Sequence, residues 1–185
     1  MKLLKRLYET YSPSGKEMRM RSFIKKHVAD NVPEAIVTED NVGNIYITKG
    51  LETDYPCVVA HLDQVQKQRS KDFRAVETRD IIFGYSPANR RREGLGADDK
   101  NGIWIALRCL EKYEAIKVAF FVGEEVGCVG SGQADIQFFS DCRFIIEPDR
   151  RGYGDLIIQI GWEPICSKDF LNDMQAERFG YKPTD

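Results

Sequence analysis

Apolar residues fall first at helical spacing and then, from about residue 35, in short runs. Residues 2–11 and 15–30 read as helices, the second with Met18, Phe23, Ile24 and Val28 on one side and Ser14 as its N-cap. Three strands are predicted next, at 35–39 (AIVTE), 44–49 (NIYITK) and 56–62 (PCVVAHL), followed by a polar loop at 64–71 and a strand at 80–85 (DIIFGY). A glycine- and arginine-rich loop leads into a helix from about Asp98 to Tyr113. The run IKVAFFVG (116–123) has the continuous apolar character of a buried strand. A short helix at 131–139, strands at 142–147 and 155–160, and a helix at 167–180, capped by Ser167 and stopped by Gly180, complete the pattern. Strands alternating with helices predict an α/β fold, a three-layer sandwich with a mixed, mostly parallel central sheet. No repeat or interdomain linker interrupts the pattern, so one domain is expected over 1–185.

With 185 residues, 42% apolar and 30% charged, the chain is long enough for one domain with a real core and too apolar for disorder. The net charge of -2 and the lack of a basic helix argue against nucleic acid as a partner. The one dense basic cluster, Arg90 to Arg92, reads as a solvated loop. Together with Arg150 and Arg151 it has the alternative use of holding a substrate carboxylate. The charged start and the lack of a long apolar run predict neither a secretory signal nor a membrane partner, and a cytoplasmic protein is expected. Five scattered cysteines without a CxxC pair are expected to be reduced and mostly buried.

The chemistry lies in four polar clusters. VVAHLD ends a strand with His61 and Asp63; GADDK opens a helix with Asp98 and Asp99; AFFVGEEVG ends a strand with Glu124 and Glu125; RFIIEPDR ends a strand with Glu147 and Asp149. Ligands of open α/β sheets bind beyond the carboxyl ends of strands, where three of the clusters fall. Two like charges about 4 Å apart repel by roughly 4 kcal/mol at an effective dielectric near 20, so convergence of these acids calls for a cation. Histidine nitrogen with carboxylate oxygen suits zinc, with cobalt or manganese as alternatives. The spacing of His61 and Asp63 puts both on one strand face, where Asp63 can orient the imidazole. His27, inside the helix SFIKKHVAD, has no ligand role in this reading.

HLD (61–63), GADDKNG (96–102), GEEVG (123–127) and the later strand-end acid resemble the co-catalytic zinc exopeptidases, a group that includes peptidase T, carboxypeptidase G and the bacterial leucine aminopeptidases. The resemblance extends to SPSGKEMRMRSFI (12–24) and DNVGNIYITKG (40–50) and covers nearly the whole chain. It implies hydrolysis of peptide bonds by a metal-bridging water, with two divalent metal ions as cofactors. His61 would bind the first, with Asp63 behind it. Asp98 would bridge both, through a cis Asp98–Asp99 peptide. Glu125 would bind the second, and Glu124 would be the general base. The remaining ligand would be Asp149, with Glu147 as the alternative. Peptides or N-acyl amino acids would be the substrates, an N-acyl amino acid deacylase being the rival activity, and a homo-oligomer stays open.

The match breaks at one point. The family completes its second metal site with a further histidine, and this chain has only His27 and His61. The resemblance therefore implies a compact, lidless domain missing its expected C-terminal part, with the second metal site incomplete. A non-catalytic metal-binding remnant is the corresponding alternative.

Overall fold

A computed structural model describes residues 2–152 and 154–184. The chain divides into two compact units, Met1–Asp149 and Arg150–Asp185. The first contains helices α1 (Lys2–Glu9), α2 (Met18–Asn31) and α3 (Ala97–Lys112). Its strands are β1 (Ile36–Glu39), β2 (Ile45–Lys49), β3 (Tyr55–His61), β4 (Arg74–Glu77), β5 (Ile82–Ser86), β6 (Arg91–Glu93), β7 (Ile116–Phe121) and β8 (Cys142–Ile146). Five of them form a mixed sheet in the order β1-β2-β7-β3-β8. The pairings of β1 with β2 and of β2 with β7 are antiparallel, and those of β3 with β7 and with β8 are parallel. The α/β class and the mixed sheet read from the pattern are therefore what the structure has, with the two kinds of pairing in equal number.

The alternation of side chains along each strand divides the core in two. Ile45 and Ile47, Val58 and Ala60, and Val118 and Phe120 face one side, where Leu7, Met20, Ile24 and Val28 of the first two helices and Ile103, Leu107 and Leu110 of α3 pack on them. Tyr46, Cys57, Val59, Ala119 and Phe121 face the other side, covered by Phe138 and Phe139. That cover is a pair of 3-10 turns, Ser131–Gln133 and Ile136–Phe139, in place of the single helix expected at 131–139. It is pinned by the buried Lys117, whose Nζ donates to the Phe138 carbonyl at 2.7 Å and pairs with Asp141.

Between β3 and α3 the chain forms a separate antiparallel sheet, β4-β5-β6. Its outer strands were not expected: the Arg90–Arg92 region read as a loop, and residues 74–77 carried no strand prediction. Charged residues such as Arg91 and Arg92 hide the period-2 signal, yet Arg91 and Arg92 pair in register with Ser86 and Tyr85. The helix α2 begins three residues later than predicted and has no side-chain cap, because Ser14 is used elsewhere. Of the five free cysteines only Cys57 is fully buried, and Cys128 is exposed.

The second unit holds β9 (Asp155–Ile157), β10 (Gln159–Ile160), β11 (Glu163–Pro164), α4 (Lys168–Asp173) and β12 (Lys182–Thr184). β9 pairs with β12 in parallel, and β10 with β11 as a hairpin, so the strand expected over 155–160 is split between two small sheets. Ser167 does cap α4, accepting from the Phe170 N–H at 3.1 Å, but the helix ends at Asp173, well before Gly180. Among the described residues no helix is long and apolar enough to cross a membrane.

Candidate metal centre and active site

Sheet register brings the polar clusters together. β3 and β7 run parallel with His61 opposite Phe121, so both strands end at one edge. The next residues of the β7 end turn at Gly123, whose φ of 61° lies in the left-handed region, into a 3-10 turn carrying Glu124 and Glu125. On the other side of β3, Ile146 of β8 lies opposite Val58. Three residues on from Val58 is His61, and three on from Ile146 is Asp149. Glu147 comes two positions too early.

His61 is buried, with both ring nitrogens facing carboxylates. Nδ1 lies 3.2 Å from Asp63 Oδ1, and Nε2 lies 2.9 Å from Asp98 Oδ1, 3.7 Å from Asp149 Oδ2 and 3.8 Å from Glu124 Oε2. Ligand atoms of His61, Asp98 and Asp149 lie within 4.8 Å of one another, the one such group of three among the described residues. Glu125 and Glu147 are outside it, although Glu125 and Asp98 line one cleft. Of the two candidates at the end of β8, the geometry thus gathers Asp149. His27 stands elsewhere, its Nε2 2.8 Å from Glu111 Oε1.

Electrostatics follow from this crowding. Burial alone would push the His61 imidazole down, but its hydrogen bonds to Asp63 and Asp98 and the charges of Asp99 and Asp149 outweigh it and hold the ring at about 10. Burial, then the charge of Asp98, raises both Asp149 and Glu125 above the usual carboxylate range. Burial and the charge of Asp149 push Asp99 up to about 8.

The two adjacent aspartates divide their work. The Asp98–Asp99 peptide is cis, and neither residue has helical backbone angles. Asp98 points out, its side chain 70% exposed. Asp99 turns in, 2% exposed, and its Oδ1 accepts from the Gly102 N–H at 2.8 Å, which satisfies one of the free donors of the first helical turn. Its Oδ2 is buried without a hydrogen-bond partner among the described residues.

Asp63 supports the arrangement from behind. Fully buried, it accepts from Ser14 Oγ at 2.7 Å and from the backbone N–H groups of Glu124 at 3.0 Å and Glu125 at 3.2 Å. Burial opposes its ionisation, and the hydrogen bonds from His61, Ser14 and Glu124 overcome it, holding the carboxyl below its usual range. One carboxylate thus orients the imidazole and the Glu-Glu turn together. Asn44 does similar work on the far side of that turn. It is fully buried; its Oδ1 accepts from the Val122 N–H at 3.1 Å and its Nδ2 donates to the Gly130 carbonyl at 3.0 Å. Sequence reasoning did not single out either Ser14 or Asn44 for the site. The only signal was their place in the SPSGK and DNVGN segments.

No protein-family model matches the chain, and no curated protein matches it in sequence. Solved structures do match in shape. A tripeptidase of Staphylococcus aureus superposes with a TM-score of 0.68 at 20% identity over 85% of this chain, and an aminoacylhistidine dipeptidase of Vibrio alginolyticus with 0.67 at 18% over 85%. The TET1 peptidase of Pyrococcus horikoshii, which can assemble into a tetrahedron or a large octahedral shell, matches with 0.62 at 14% over 98% of this chain and 82% of its own. The chain spans 44% of the tripeptidase's length and 34% of the dipeptidase's. The resemblance read from HLD, GADDKNG and GEEVG is thereby borne out in three dimensions: the chain has the fold of these peptidases.

Proposed function

We propose that the first compact unit carries the site of a metal-dependent exopeptidase of the aminopeptidase or di/tripeptidase type. The observation that supports this most is the meeting of His61, Asp98 and Asp149 within 4.8 Å, with Glu124 3.8 Å from the same imidazole nitrogen. The donor set fits a divalent cation: one imidazole and two carboxylates suit zinc, and also cobalt or manganese. The crowding fits as well, since carboxyls raised by burial and by one another regain their ionised form beside a cation. A cation here would take the place of the proton on Nε2, while Asp63 keeps Nδ1 as a donor and the ring in one orientation. A second ion would draw on Asp98 and Glu125.

Such a cation supplies Lewis acidity toward a scissile carbonyl and makes water acidic enough to attack at neutral pH. The chain's own contribution is proton transfer and positioning. Glu124 takes the proton of the attacking water and gives it to the departing amine. Its backbone is anchored to Asp63, and its carboxylate lies 3.8 Å from His61 Nε2.

The test is zinc per chain after removal of loosely held metal, followed by peptide hydrolysis by the wild type and by Glu124→Gln. The expected outcome is at least one tightly held zinc, and a turnover ~10²–10⁴-fold lower in the variant with its zinc retained. Hydrolysis that survives the substitution would sink the role given to Glu124. Zinc binding without any hydrolysis would leave the chain a metal-binding module. Cleavage restricted to peptides with blocked N-termini would make it an N-acyl amino acid deacylase.

A further inference from the structure

Beside the acidic cluster lies an open cleft of about 410 Å³, large enough for one or two residues of a peptide. Val65, Ile82, Phe83 and Leu95 give it apolar walls, and Asp98 and Glu125 belong to its lining. It also contains Arg92, the only cation among its lining residues. The three consecutive arginines of the sequence have different fates. Arg90 sits in the turn before β6 with a φ of 48°. Arg91 pairs with Glu93 at 3.3 Å. Arg92 has no carboxylate within 4.0 Å among the described residues, and its guanidinium lies over the Phe83 ring, 4.8 Å from the centroid. The acid nearest to it in sequence, Glu93, is already committed to Ser70 and Arg91.

This geometry combines apolar walls, a stacked and unpaired guanidinium, and carboxylates at the proposed metal centre. A guanidinium pre-oriented on an aromatic ring presents its fork of donors to a planar acceptor. The acids of the centre repel a carboxylate, so the end of a bound peptide that carries one is directed toward Arg92. Resting on the exopeptidase reading above, we infer that this cleft is the subsite for the one or two residues beyond the scissile bond, and that Arg92 recognises the free C-terminal carboxylate of a short peptide with an apolar side chain. Arg92 is then a specificity-determining residue, and the preferred substrates are di- and tripeptides rather than long chains.

The experiment compares trileucine with its C-terminal amide on the full chain, loaded with zinc. Affinity is read by calorimetry in the Glu124→Gln background, so that binding is seen without turnover, and kcat/KM is read in the active enzyme. The expected result is a preference of ~10–100-fold for the free acid in both readings, as for a charge-assisted bidentate contact. Arg92→Gln should bring the acid-to-amide ratio close to one, Arg92→Lys should restore part of it, and Arg91→Gln should leave it unchanged. Zinc per chain, measured in every variant, reports intact folding of the site. Equal affinity for acid and amide in the parent, a ratio untouched by Arg92→Gln, or no binding of either peptide would overturn the inference. A chain that binds trileucine with the Arg92-dependent preference but hydrolyses nothing would refute the exopeptidase reading and the placing of the cleft beyond a scissile bond, and would keep only Arg92 as the carboxylate-binding residue.

Discussion

Asn44 offers a sharp test of how the fold holds the Glu124–Glu125 turn. In Asn44→Ala the Val122 N–H loses the partner it has at 3.1 Å, the Gly130 carbonyl keeps only the Gln133 N–H, and Asp40 Oδ2 loses a donor at 2.8 Å. An orphaned buried N–H costs ~1–3 kcal/mol and each further lost hydrogen bond ~1 kcal/mol, so a destabilisation of about 3 kcal/mol is expected. With a urea slope of ~2 kcal/mol/M, the unfolding midpoint should fall by ~1.5 M at unchanged slope. Tryptophan emission is a suitable probe: Trp104 packs against the main core, while Trp162 is 95% exposed and changes its surroundings little on unfolding. Asn44→Asp sharpens the test. It is isosteric and keeps the acceptor for Val122, but it removes the amide donor and sets a second carboxylate against Asp40. At pH 7 it should be at least as damaging as alanine. A fall in midpoint under ~0.3 M for Asn44→Ala, or an Asn44→Asp variant as stable as the wild type, would refute this account of the turn.

Two further predictions rest on α3. A Cβ at Gly102 would collide with Asp99 Oδ2, which is walled in by the core. Gly102→Ala, normally worth up to ~1 kcal/mol in favour of a helix interior, should therefore lower the melting temperature, and a gain would contradict the inward orientation of Asp99. Lys100 is fully buried; burial and then the charge of Arg69 push its amine down to about 6, while in the unfolded chain it has the ordinary value of 10.5. The unfolded state then binds the extra proton between those values, so this group makes stability rise as pH rises through that window. Lys100→Met should accordingly stabilise the metal-free protein at pH 6.5 and lose most of that advantage by pH 9.5. An advantage that does not change with pH would mean the buried amine stays charged.

The α/β class was legible because it rests on local periodicity. The apolar runs of 45–47 and 116–122 report segments buried on both faces, whatever the neighbouring strands turn out to be. Glu124 and Glu125 were legible for a related reason: acids bracketed by glycines directly after an apolar strand are costly on a surface without a use, and the other clusters gained weight from their place at strand ends or at a helix start. Local pattern failed where charged residues pair, as in β6, and where short 3-10 turns imitate a helix, as at 131–139.

Tertiary structure decided the rest. The resemblance favoured Asp149 and kept Glu147 as the alternative, and it is the parallel register that puts Ile146 opposite Val58 that makes Asp149 level with His61. Ser14 has the composition of a helix cap, yet its hydroxyl serves Asp63, a residue 49 positions away. Of three consecutive arginines, strand pairing commits one to a turn and one to Glu93 and leaves Arg92 over Phe83. By itself the sequence determined which segments bury an apolar face, because burial is a property of each residue and its near neighbours. Which polar side chains meet was left to the folded chain, because a hydrogen bond depends on a distance of a few ångströms between atoms that only register and packing bring together.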